Sequence, residues 1–141
     1  MSDTNSEEVP DLNMRSMWLR RWGPALVMMG LIFFFSSIPG RDFPPLGWWE
    51  WLVTNGGHAL GYAMLSAAFA YGLIGSRPVT PRHLALAVSL AVLYSLTDEF
   101  HQAFVPGRTP ALMDLGVDAI GAVVGVGMWV YGRRRVRRVK T

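Results

Sequence analysis

The chain contains no cysteine, which excludes disulfides, thiolate metal sites and cysteine nucleophiles. It is also poor in charge: Asp, Glu, Lys and Arg make up only 16% of its 141 residues, against about 25% in an average soluble domain. Residues 22–40 and 83–97 carry no Asp, Glu, Lys or Arg at all. Such runs exclude intrinsic disorder and argue against a water-soluble core. Internal repeats and low-complexity segments are absent, and the length suits one domain.

What is present is apolar: 51% of the residues are hydrophobic. A bilayer core about 30 Å thick needs about 20 helical residues. Four segments qualify, near residues 22–38, 57–75, 83–104 and 111–131. The expected fold is therefore all-α, a polytopic membrane protein with four transmembrane helices. Pro24 suits the first turn of the first helix, and Thr109-Pro110 suits the cap and first residue of the fourth. The first apolar run lacks a small-residue cleavage site and is read as a membrane helix, not a leader. Residues 1–13, with Asp3, Glu7, Glu8 and Asp11, are expected to be a disordered acidic tail, residues 14–132 the membrane domain, and residues 133–141 a basic tail.

Lys and Arg orient the spans. Eleven of the thirteen lie before the first helix, between the second and third, or after the fourth; only Arg41 and Arg108 lie in the other two connections. Both termini are thus expected to be cytoplasmic. The sequence pI of about 9.8 then reflects topology markers, with the basic tail touching anionic lipid and no nucleic acid implied. Segment 43–53, FPPLGWWEWLV, is too short to span, and Trp48, Trp49 and Trp51 favour the outer headgroup zone.

This orientation gathers Asp42, Glu50, Asp98, Glu99, Asp114 and Asp118 in the outer layer, with His58, Ser36 and Ser37. Asp118 would lie about 12 Å into a helix starting at Pro110, a depth at which a carboxylate needs a partner. Asp114 and Asp118 share a face, as do Asp98, His101 and Gln102, and His58 and Tyr62; Glu99 points about 100° from Asp98. Gly57xxxGly61 and Gly121xxxGly125 would allow close helix approach around a shared polar site. Arg108 suits either a carboxylate at the helix ends or a phosphate.

Segment 95–125 reads SLTDEFHQAFVPGRTPALMDLGVDAIGAVVG. It resembles the signature of the VanZ-like family of bacterial membrane proteins. The matching positions are the acidic pair Asp98-Glu99 with Gln102, the turn Phe104-x-Pro106-Gly107-Arg108, Asp114, Asp118, Gly121 and Gly125. Phe35-Ser36-Ser37-Ile38-Pro39 and His58-x3-Tyr62 fit the same pattern, which extends over residues 22–131. Many members carry asparagine in place of Asp118. The resemblance implies a compact four-helix domain in the bacterial inner membrane and an association with resistance to glycopeptides such as teicoplanin. It implies no particular reaction.

Two functions follow as expectations. One is a cell-envelope protein that binds or modifies a membrane lipid or lipid-linked envelope precursor at the outer leaflet, with Ser37, Tyr62, Gln102, Arg108 and Asp118 in binding roles. The other is a membrane-embedded hydrolase or transferase acting on a phospholipid or lipid-phosphate headgroup. In that reading His58, Asp98, Glu99 and Asp114 are catalytic. A divalent cation is held among His58, Asp98, Glu99, Asp114 and Asp118, while Arg108 grips a phosphate. A metal-free version uses His58 as general base. A transporter is the weakest reading, because the inner half offers no polar path.

Overall fold

The structure, a computed structural model, describes residues 9–39, 49–108 and 111–139, with side chains described except at 9–12 and 49–55. All secondary structure among these residues is helical: α1 (Val9–Ser36), α2 (Trp49–Ile74), α3 (Pro81–Gln102) and α4 (Leu112–Val139). Thr80 caps α3, its hydroxyl accepting from His83 N at 3.3 Å, and Pro81 occupies the first turn, where a missing N–H does no harm. Gly75 ends α2 at φ +51°, a left-handed conformation that suits glycine.

Several expected boundaries move. α1 begins at Val9, so residues 9–13 are helical rather than a disordered tail. Pro24 therefore sits deep inside α1, not in its first turn, and leaves the carbonyl one turn earlier without its usual amide donor. α2 starts at Trp49, so Trp49 and Trp51 belong to its beginning; Trp48 and the Thr109-Pro110 start of the fourth helix lie outside the described residues. The basic cluster Arg133–Arg138 continues α4 as helix rather than forming a separate tail. Among the described residues three helices are long and apolar enough to cross a membrane: Gly56–Ile74, Pro81–Gln102 and Leu112–Val139. α1 is not among them. Arg20 and Arg21 interrupt its apolar run, which from Trp22 onward is shorter than a bilayer core requires.

The interior combines many small and polar side chains with a few large ones from α2, Tyr62, Leu65, Phe69 and Ile74. Ala25, Ala68, Ala70, Ala87, Ala91 and Ala122 are buried, with Ser66, Ser95, Asp98 and Asp118 among them, while Phe34, Leu60, Phe100, Ile120, Val123 and Met128 face outward. Large apolar groups outside and small groups inside is the distribution expected where the surroundings are hydrocarbon. α2 packs against all three other helices, and α1 and α4 do not touch among the described residues. The closest approach is between α2 and α4. A side chain at Gly121 or Gly125 would strike the backbone of Ala59 or Ala63. The expected glycine pair on α2 does not serve this contact: Gly57 faces open space and Gly61 faces the Ile32 side chain. Alanine on α2 meets glycine on α4.

At the end of the bundle where α2 and α4 finish, arginines from neighbouring helices hold the last carbonyls of α2 and the turn that follows it. Arg21 Nε donates to Gly72 O, and its Nη2 to Leu73 O at 3.1 Å. Arg133 donates to Gly75 O at 2.6 Å and to Arg77 O at 2.9 Å. α2 has no basic residue in its own last turn, so Arg21 supplies donors that the helix terminus lacks, while Arg133 pins the turn beyond it. Replacing Arg133 by alanine should cost about 1–2 kcal/mol in a detergent melt. Replacing the exposed Arg134 should cost nothing measurable, and equal effects at the two positions would show the capping contacts to be idle.

Candidate functional site

The opposite end, where α1 and α3 finish and α2 and α4 start, holds the described polar residues singled out from sequence; Asp42 and the Glu50 side chain lie outside the described ones. α3 presents one buried face made of Ala87, Ala91, Ser95, Asp98 and Gln102, an i, i+3, i+4 stripe that is apolar along most of its length and polar at this end. α4 opposes it with Asp118, Gly121, Ala122, Gly125 and Val126. The polar part of the stripe feeds two hydrogen-bonded clusters.

In the first, one oxygen of Asp98 accepts from Ser36 Oγ at 2.8 Å and from Gln102 Nε2 at 2.9 Å. This joins the last residue of α1 to α3. The other oxygen, Oδ1, is buried with no partner among the described residues. Beside it, Ser37 Oγ donates to Phe33 O at 2.7 Å and lies 3.0 Å from His101 Nε2, while the imidazole stacks on Phe33 with ring centroids 4.4 Å apart. Because the Ser37 proton is committed to the carbonyl, His101 donates from Nε2. Ser37 is thus a helix-end residue locked to α3.

In the second cluster Asp118 is completely buried and bridges two helices: Oδ1 lies 3.2 Å from His58 Nδ1 and Oδ2 accepts from Ser95 Oγ at 2.5 Å. The order of these contacts matters. In a serine-nucleophile triad the histidine lies between hydroxyl and carboxylate; here the carboxylate lies between, and Ser95 is fully buried. His58 therefore cannot take the Ser95 proton. Tyr62, one turn along α2 from His58, is 1% exposed and has no partner for its hydroxyl among the described residues. Its phenol lies within electrostatic reach of both Asp98 and Asp118. Ser95 and Asp98 are three residues apart on the same face, so the two clusters form one buried polar layer clamping α1, α2, α3 and α4.

Glu99, Asp114 and Arg108 stand outside that layer. Arg108 donates from Nε to Ile38 O at 3.3 Å and from Nη2 to Phe35 O at 3.2 Å, tying the α3–α4 connection to the end of α1. Gly107 at φ +75° makes the turn that carries it. Glu99 leans toward α4, where Oε2 accepts from Ala111 N at 2.9 Å and Oε1 is buried without a partner among the described residues. Asp114 is half-buried on the first turn of α4. The charges of Asp114, His58 and Asp118 all act on Glu99, and all four residues belong to this end of the bundle. Glu99 also lines an apolar groove of about 250 Å³ with Leu96, Phe100, Ala103, Ala111, Leu112 and Leu115.

The expected single constellation is thus divided. Asp98, Gln102 and Tyr62 join His58 and Asp118 in the buried layer, while Glu99 lines the seam between α3 and α4 and Asp114 lies half-buried on the first turn of α4. Among the described residues no three His, Asp or Glu side chains could hold one metal ion. The five expected ligands are dispersed because Asp98 and Asp118 each turn toward a hydroxyl and Glu99 turns toward a backbone amide. Sequence reasoning missed Ser95 and chose Ser37 over Ser36. A signal for Ser95 existed: it continues the Asp98–Gln102 face into an apolar span, where a buried hydroxyl needs a partner.

Residues 22–133 match the family model described as VanZ/LLP1. No curated protein and no solved structure matches the chain.

Proposed function

The chain belongs to the VanZ-like family, and we propose that it is a four-span protein of the bacterial inner membrane that binds a lipid or lipid-linked envelope precursor at the outer leaflet. Both termini are assigned to the cytoplasm by the division of Lys and Arg, and the arginine-capped end of the bundle lies there, its basic α4 extension against anionic lipid. α1 completes the fourth crossing with its flanking arginines at the cytoplasmic headgroups. One observation carries the binding role: Glu99 stands outside the helix-clamping layer and lines the seam of two helices that face hydrocarbon. Binding of a wall precursor there would alter glycopeptide access, which is how the family's link to teicoplanin resistance extends to this chain. The hydrolase reading needs either an accessible nucleophile activated by His58 or several ligands facing one point. Ser95 bonds Asp118 instead, and the described acids are dispersed.

The absence of native cysteine makes a direct test available. Phe104, 72% exposed, is replaced by cysteine and labelled in intact cells with an impermeant benzophenone maleimide; a cysteine at Thr141 serves as the inner control. Labelling is expected at 104 and not at 141. Illumination should then give lipid adducts whose headgroup composition departs from that of the bulk membrane. Labelling of 141 from outside inverts the topology, and adducts of bulk composition remove the selective site.

A further inference from the structure

The α3–α4 groove combines features that the helix clamp leaves unexplained. Its walls are aliphatic and aromatic: Leu96, Phe100, Ala103, Leu112 and Leu115. Phe100 is 70% and Leu112 88% exposed, so the groove opens on the outer surface of the bundle, on the side that meets acyl chains rather than water. The polar side chain lining it is Glu99, and Oε1 of that carboxylate is shut from solvent with no hydrogen-bond partner among the described residues. Leaving such an oxygen unpaired is costly, and a carboxylate accepts most strongly from a charged donor.

From this geometry we infer that the groove is a binding site for an aminophospholipid, its acyl chain lying along Leu96, Phe100 and Leu115 and its primary ammonium donating to Glu99 Oε1. The inference rests on the reading of this bundle end as a lipid-binding site at the outer leaflet and names the headgroup chemistry. An ammonium fits for three reasons. It carries three donors and no acceptor. The carboxylates of Asp114 and Asp118 add negative potential at Glu99, offset in part by His58, which favours a cation there. Oε2 is already held by Ala111 N, which fixes the carboxylate so that Oε1 alone remains for a ligand. A phosphate-only or glycerol headgroup would present anionic or neutral groups to this oxygen and gain less.

The test uses full-length protein reconstituted in phosphatidylcholine bilayers with spin-labelled lipids, comparing phosphatidylethanolamine, phosphatidylcholine and phosphatidylglycerol by the motionally restricted fraction in electron paramagnetic resonance. The wild type should favour phosphatidylethanolamine over phosphatidylcholine by about tenfold, the size of one charge-assisted hydrogen bond. Glu99→Gln keeps the shape and an acceptor for Ala111 N, and should bring that ratio to about one. Ala103→Leu fills the groove and should lower the restricted fraction of phosphatidylethanolamine while Glu99 is intact. A preference for phosphatidylethanolamine that survives Glu99→Gln, or a wild type that selects no headgroup or selects phosphatidylglycerol, overturns the assignment. Selective adducts in intact cells without amine preference in the bilayer would sink the aminophospholipid and spare the outer-leaflet site; bulk-composition adducts would sink that site itself.

Discussion

Asp118→Ala should destabilise the detergent-solubilised protein by about 3–5 kcal/mol, the cost of breaking a buried charge pair by removing one partner. Asp118 is 0% exposed and serves two donors on two different helices, His58 on α2 and Ser95 on α3. Its removal leaves an imidazole with 14% side-chain exposure and a hydroxyl that is itself fully buried, and the hydroxyl cannot recover its lost bond from water. Asp118→Asn is the informative companion. The amide oxygen still accepts from Ser95, the charge is gone, and the expected loss is about 1–2 kcal/mol. Thermal unfolding of both variants, with a double-mutant cycle against His58→Ala, separates the charge pair from the rest of the layer. An Asp118→Ala protein that melts with the wild type would mean the buried layer does not hold α2, α3 and α4 together.

Gly125→Ala should be at least as damaging, although it adds a single methyl group. That methyl would have to occupy space already taken by the backbone of Ala63, and the same holds for Gly121 against Ala59. Backbone cannot rotate out of the way as a flexible side chain can, so α2 and α4 must separate along their whole contact. Overpacking costs typically about 1–3 kcal/mol and more where the obstruction is rigid; we expect about 3 kcal/mol or more and poor accumulation in the membrane. Gly127→Ala and Gly132→Ala are the controls. They lie on the same helix with nothing within 4 Å of the added carbon, and alanine there should be neutral or slightly stabilising through helix propensity. Expression and melting temperature of the four variants read the result, and a loss that is equal at all four positions would point to helix insertion rather than packing.

Both expected effects trace to residues visible in the sequence, yet the sequence determined them unequally. Charge-free runs and their lengths fix an all-helical chain, since lipid leaves the backbone no other way to satisfy its hydrogen bonds in a segment of that length. The signature 95–125 fixes the family, and helical phase alone puts Asp98 and Gln102 on one face and turns Glu99 away. Helical phase is local, however, and says nothing about which neighbour a face meets. Only the packed bundle decided that Ser36 rather than Ser37 reaches Asp98, that Asp118 lies between His58 and Ser95, and that Arg108 closes the end of α1. It likewise decided that Gly121 and Gly125 pack on alanines rather than on Gly57 and Gly61. A hydrogen bond depends on the distance between two helices and their rotation about their own axes, which are set by every side chain in the interface at once. The order of the helices brings His58, Asp98, Glu99, Asp114 and Asp118 to one end of the bundle. Sharing an end is not sharing a contact, because azimuth around the bundle is settled only when small residues let particular helices touch.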